Sequence, residues 1–137
     1  MMPEAQDYLG KAREDLGEAR LIAAIGLANP AARSAYYAMF HAAEALIVER
    51  TGKIAKTHSG VRTEFARLAK DMPGIDKAFA AIFAKAYSYK EIGDYRVGRD
   101  AHVTLAEANE AIANAERFIA CIITVLPAAG GGSSQTQ

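Results

Sequence analysis

Arg33, Tyr37, His41 and Glu44 follow one another at intervals of four, four and three residues. At 100° per residue these intervals place them within an arc of roughly 80° on one helix. They form a polar stripe beside an apolar face of Tyr36, Met39, Phe40, Ala43, Leu46 and Ile47. In a cleft, Glu44 would orient the imidazole of His41, and Arg33 would offer a planar fork to a phosphate or carboxylate. The same four residues also suit an interhelical hydrogen-bond network at the edge of a core, and both readings stay open. A zinc site is disfavoured, because ligands at i and i+3 on one helix need partners that the positions of His58 and His102 do not supply from sequence. No metal or cofactor is expected.

Two further groups carry chemistry. Lys56-Thr57-His58-Ser59-Gly60-Val61 stands at the start of a helix, where Thr57 or Ser59 can cap and free backbone N–H groups can meet an anion beside Lys56 and His58. Capping alone also accounts for the hydroxyls. Further on, Lys90, Asp94, Tyr95, Arg96, Arg99 and His102 lie close together, with five residues between Arg96 and His102. In a metal-independent ribonuclease a histidine moves the proton while an arginine stabilises charge developing at phosphorus, so Arg96 and His102 are the candidate catalytic pair.

The elements that must position these residues read as helices. The first is expected from about Pro3 to Gly26, with a first-turn proline and Leu9, Leu16, Ala19 and Ala23 at helical spacing. After a turn at Asn29-Pro30, a second runs from Pro30 to about Arg50 and stops at Gly52. A loop from Lys53 to Thr57 leads to a short amphipathic helix carrying Val61, Phe65 and Leu68, which ends near Met72-Pro73-Gly74. Ile75, Phe79, Ile82, Phe83 and Ala86 give a fourth. The stretch from Ser88 to Val103 loses apolar periodicity and is expected to be an irregular loop, the longest in the chain and a natural place for function. In the last helix Thr104 and Glu107 form a capping box, and Leu105, Ala108, Ile112, Ala115, Ile119, Ile122 and Leu126 make a seam that packs internally or against another subunit. The domain should span 1–127, followed by a disordered Gly- and Ser-rich tail over 128–137.

Composition agrees with an all-α, antiparallel up-and-down bundle of about five helices. The 137 residues are 51% hydrophobic, rich in alanine and without tryptophan, enough for one core without staples. Sixteen basic and sixteen acidic residues cancel, which argues against binding nucleic acid through broad phosphate neutralisation and leaves only a local contact. The single Cys121 reads as a small packed hydrophobe in a reducing cytoplasm. No signal peptide is visible, and the apolar run from Phe118 to Leu126 falls well short of the about 20 residues that span a bilayer, so no membrane partner is expected.

Arg33-Ser34-Ala35-Tyr36-Tyr37-Ala38-Met39-Phe40-His41-Ala42-Ala43-Glu44-Ala45-Leu46, Lys56-Thr57-His58-Ser59-Gly60-Val61 and Gly93-Asp94-Tyr95 together resemble the HEPN domain family, in particular its small stand-alone prokaryotic members. The resemblance implies a helical bundle, often a homodimer, commonly encoded beside a minimal nucleotidyltransferase in toxin–antitoxin-like modules. Many such relatives are RNA-cleaving toxins, and others are noncatalytic RNA- or nucleotide-binding partners. The catalytic branch carries an arginine, about four to six intervening residues and a histidine near the loop between the later helices. Here the resembling segment places Lys90 and Asp94-Tyr95 where that pair belongs, without the histidine, and Arg96 to His102 is shifted downstream. The expectation is therefore a noncatalytic or weakly catalytic partner that binds nucleotide or RNA through Arg33, Tyr37, His41, Lys56, His58, Ser59, Asp94 and Tyr95. The alternatives are an endoribonuclease using Arg96 and His102, and a structural dimerisation bundle without ligand.

Overall fold

The computed structural model describes residues 1–98 and 102–127; the expected tail at 128–137, and Arg99, lie outside the described residues. Five helices make up the bundle: α1 (Pro3–Ala24), α2 (Ala28–Thr51), α3 (His58–Asp71), α4 (Ala78–Tyr95) and α5 (Leu105–Val125). Helix α2 is the central element and packs against each of the other four.

Small residues spaced by heptads make that arrangement possible. Ala5, Ala12 and Ala19 of α1 are fully buried, with Leu9 and Leu16 between them. The matching row on α2, Ala31, Ala35, Ala38, Ala42 and Ala45, is likewise fully buried. Such a row brings helix backbones together with little side-chain entropy lost. Beside and beyond that row large residues fill the core, with Tyr36, Met39, Leu46 and Ile47 in one cluster with Val61, Phe65, Phe83, Phe118 and Ile122. Phe65, Phe83 and Phe118 meet one another at centroid distances of 4.9 to 5.8 Å, within the range of favourable aromatic pairing.

The ends of the helices follow local chemistry. Thr57 caps α3 by accepting from the Gly60 N–H at 2.9 Å. Thr104 and Glu107 complete the expected capping box on α5. Gly52 closes α2 in the left-handed region at φ 72°, where a side chain would be strained. The α5 seam is satisfied inside the chain: Ala108, Ile112, Ala115, Ile119, Ile122 and Leu126 are all buried, and only Leu105 at its start is exposed.

Two expectations are corrected. Asn29 and Pro30 do not form the turn. They lie in the first turn of α2, where backbone N–H groups have no helical acceptor and proline therefore breaks no bond; the reversal occurs at residues 25–27 instead. More important for function, Ser88 to Tyr95 is helix and not irregular. Its inner positions are taken by Tyr89 and Lys90, both buried, so the periodicity is carried by a phenol and an ammonium that a hydropathy count scores as polar. Lys90 and Asp94 make an i,i+4 ion pair at 3.2 Å along it. Only the residues after Tyr95 leave the helix.

Two substitutions test this packing. Phe118→Ala, which empties a fully buried site, is expected to cost about 3–5 kcal/mol in denaturant unfolding, whereas Thr104→Ala, which removes only a cap, should cost about 1 kcal/mol.

Candidate functional site

The polar stripe of α2 divides between two neighbours. At its amino end, the Arg33 guanidinium pairs with Asp94 of α4 at 3.3 Å and lies over the Tyr37 ring, 5.3 Å from its centroid. Toward the carboxyl end, His41 turns to α1. Its Nδ1 meets Glu44 at 2.7 Å, its Nε2 lies 3.5 Å from Asp15, and Tyr8 stacks on its ring. His41 is thus an interhelical tie with both ring nitrogens facing carboxylates. Burial raises the Asp15 carboxyl above its usual range, against the opposing pull of His41 and Lys11.

Facing α4 the geometry is different. Lys90 is only 5% exposed, yet its ammonium is held charged. Burial works against the charge, but the hydrogen bond to Asp94 and the electrostatic influence of Tyr37, Asp94 and Tyr95 outweigh it and raise the pKa. The same ammonium lies near two aromatic rings, 5.7 Å from Tyr87 and 5.3 Å from Tyr95. Tyr95 itself is 70% exposed. Arg33, Tyr37, Lys90, Asp94 and Tyr95 therefore share one face, in which cations alternate with aromatic rings. That arrangement can stack a base or hold a phosphate.

His58 enters the same neighbourhood from the first turn of α3. Its Nδ1 and the Tyr36 hydroxyl are 2.8 Å apart, and its ring packs on Phe40 at 4.6 Å and near Tyr37 and Tyr87. Burial, followed by the charges of Lys90 and Arg62, lowers its pKa. Tyr36, buried in the core, has its pKa pushed far up by desolvation, so the phenol keeps its proton, and the imidazole tautomer decides which of the two groups donates in this bond. Lys56 and Ser59 remain exposed at the amino end of α3, Ser59 within 3.4 Å of the Thr57 hydroxyl.

Arg96 terminates α4, its backbone N–H donating to Ile92, and its side chain is exposed, as is that of His102. One residue, Asn29, links the two segments. Its Oδ1 accepts the Val103 N–H at 2.7 Å, and a Cβ on Gly93 would come within 3.2 Å of its own Cβ. The chain after the candidate catalytic pair is thereby bonded to the amino end of α2, and the chain before it passes close by. A recess of about 160 Å³ lined by Asn29, Pro30, Arg33, Gly93 and Asp94 opens there. Among the described residues no group of three or more His, Cys, Asp or Glu could hold a metal ion, and no helix is long and apolar enough to cross a membrane.

Asp15, Arg62 and Tyr87 were not singled out from sequence. Arg62 follows His58 by four residues, which places the two on one face of α3, and this spacing was the available signal.

The sequence and the overall fold of the bundle are matched by known proteins. The chain matches the HEPN domain over residues 5–125, and it belongs to that family. Among its relatives, a Methanocaldococcus jannaschii protein named "Putative toxin MJ0605" is 30% identical over 116 residues, covering 85% of this chain and 84% of that protein. The UPF0332 protein glr0978 of Gloeobacter violaceus is 29% identical over 119 residues, covering 87% and 93% respectively. The crystal structure of TT1696 from Thermus thermophilus superimposes with a TM-score of 0.73 at 26% identity, covering 91% of this chain and all of that one.

The setting of His58 has a consequence for pH. Above its ordinary value of 6.5 the imidazole is neutral in both folded and unfolded forms, and its contribution to stability is complete. As the pH falls below that value the unfolded chain takes up a proton that the folded one resists, and stability is lost. Unfolding free energies measured from about pH 7.5 to about pH 5 should decline less steeply in His58→Asn than in the parent; equal slopes would contradict this assignment.

Proposed function

We propose that this HEPN protein is the nucleotide- or RNA-end-binding member of a toxin–antitoxin-like module in the cytoplasm, noncatalytic or weakly catalytic, acting as a homodimer with a minimal nucleotidyltransferase as partner. The observation that carries the reading is the α2–α4 face, where Arg33 and the buried Lys90 share Asp94 and lie over Tyr37, Tyr87 and Tyr95. Charge there is local and interleaved with rings, which is what a chain of zero net charge needs to hold a short nucleic-acid segment. Tyr37 and Tyr95 offer stacking surfaces, Arg33 a bidentate fork, and Asp94 an acceptor for a sugar hydroxyl or base amine. His58, with Lys56 and Ser59 near it, borders the face, while His41 supports it by tying α2 to α1. Kinship with a protein named as a toxin fits this role.

Binding of a short single-stranded RNA and of AMP, followed by fluorescence anisotropy and calorimetry, tests the reading. Arg33→Ala is expected to weaken binding by about tenfold, the loss of one charge-assisted contact. Absence of binding to RNA, to nucleotides and to a nucleotidyltransferase encoded alongside would remove the reading's support.

A second reading, a metal-independent endoribonuclease, is favoured by one specific observation. Asn29 accepts a hydrogen bond from Val103 and lies against Gly93, so the segments bearing Arg96 and His102 border the same end of α2. Arg96 would stabilise charge on the phosphorus centre while His102 transfers the proton. Growth arrest on expression and RNA cleavage that persists in EDTA are then expected, both abolished in His102→Ala. Undiminished cleavage by that variant would remove His102 from the mechanism.

A further inference from the structure

Beside the α2–α4 face lies a polar cluster in which, among the described residues, one cation has no carboxylate partner. Arg62 projects from α3 onto the Tyr87 ring, its guanidinium carbon 3.7 Å from the centroid. The guanidinium also adjoins the Tyr36 hydroxyl, whose pKa it pulls down against the larger effect of burial. Its Nη1 is nonetheless buried without a hydrogen-bond partner, and among the described residues no carboxylate makes an ion pair with it. A buried guanidinium N–H left unmet carries its full desolvation cost, and a bound acceptor would remove that cost. Beside it, His58 has Nδ1 committed to Tyr36, which leaves Nε2 as the nitrogen available to a ligand. Lys90 adds a second positive charge to that of Arg62 in the same surroundings, although its own ammonium is already shared with Asp94 and Glu91.

We propose that Arg62 and His58 form a phosphate subsite, with Arg62 donating from Nη1 and His58 from Nε2 while Lys90 supplies background charge. It rests on the nucleotide-binding reading and gives the ligand's phosphate a place next to the base-stacking Tyr37, whose ring centroid is 5.8 Å from that of His58. The alternative anchor, the exposed hydroxyl and lysine of Ser59 and Lys56, lacks a buried donor in want of an acceptor. Guanidinium and imidazole together select a tetrahedral oxyanion over a neutral base or a cation. The electrostatics agree, because Lys90 and Arg62 act with burial to disfavour protonated His58, and an anion between these groups would reverse that bias.

The test follows His58 by NMR titration in the full chain, without ligand and with inorganic phosphate, AMP, or a short RNA bearing either a 5′-phosphate or a 5′-hydroxyl. Phosphate and AMP are expected to raise the His58 midpoint by about one pH unit. Arg62→Gln should abolish the rise, and Arg62→Lys, which keeps the charge but not the fork, should retain part of it. Far-UV circular dichroism establishes that each variant is folded. A rise with the 5′-phosphorylated RNA alone identifies a terminal phosphate as the ligand group, and an equal rise with both RNAs identifies a backbone phosphodiester. The proposal is overturned if phosphate leaves the His58 midpoint unchanged, or if folded Arg62→Gln responds as the parent does. AMP that binds and perturbs Arg33 and Tyr37 without moving His58 would sink the subsite and keep the nucleotide reading. A phosphate response without any nucleotide or RNA binding would do the reverse.

Discussion

Helix α2 packs against all four other helices, and the small side chains of its fully buried alanine row let α1 approach closely. That packing controls everything polar along it. His41 and Asp15 face each other across the α1–α2 contact at 3.5 Å, His41 is bonded to Glu44, and Asp15 Oδ2 is left without a hydrogen bond among the described residues. Arg33 and Tyr37 lie nearer the amino end, where α4 is ending and solvent begins, and only there does the stripe become accessible to a ligand. The side chains of one stripe thus have different roles because the helices opposite them differ.

The α4 side shows how an ammonium can be kept inside a bundle. Lys90 is buried, and an isolated buried charge would be neutralised. Asp94 one turn later supplies the counter-charge, and the rings of Tyr87 and Tyr95 supply a polarisable surround. Arg33 joins the same carboxylate from α2, so Asp94 links two helices and two cations at once. Such an arrangement resists collapse of the face and presents its charge in a fixed place, which is what recognition of a small anionic ligand requires.

Most of the architecture was legible in sequence because heptad steps of alanine and leucine, glycine at a helix stop and a Thr-x-x-Glu box each have one cheap structural solution. The carboxyl half of α4 was not. Its inward positions are Tyr89 and Lys90, and burial of a lysine depends on Asp94 and on tyrosines that only the folded chain brings together. Asp15 was hidden for the same reason: it follows Ala12 by three residues and precedes Ala19 by four, a core position by spacing, yet its charge argues for solvent until His41 is seen opposite. Of the candidate site, Arg33, Tyr37, His58, Asp94 and Tyr95 were named from residue type and family resemblance, and the structure brings them together with Lys90 where α2 and α4 meet the first turn of α3. Arg62 was marked in sequence only by its four-residue spacing from His58, and its contact with Tyr87 of another helix exists only in the folded chain.

The central claim is that the α2–α4 face is where this HEPN protein meets nucleotide or RNA. Mapping of backbone amide shifts on titration with AMP tests it most directly. Perturbations are expected to concentrate at Arg33, Tyr37, His58, Lys90, Asp94 and Tyr95 and to spare the outer surface of α5. Perturbations centred on α5, or none at saturating nucleotide, would contradict the claim.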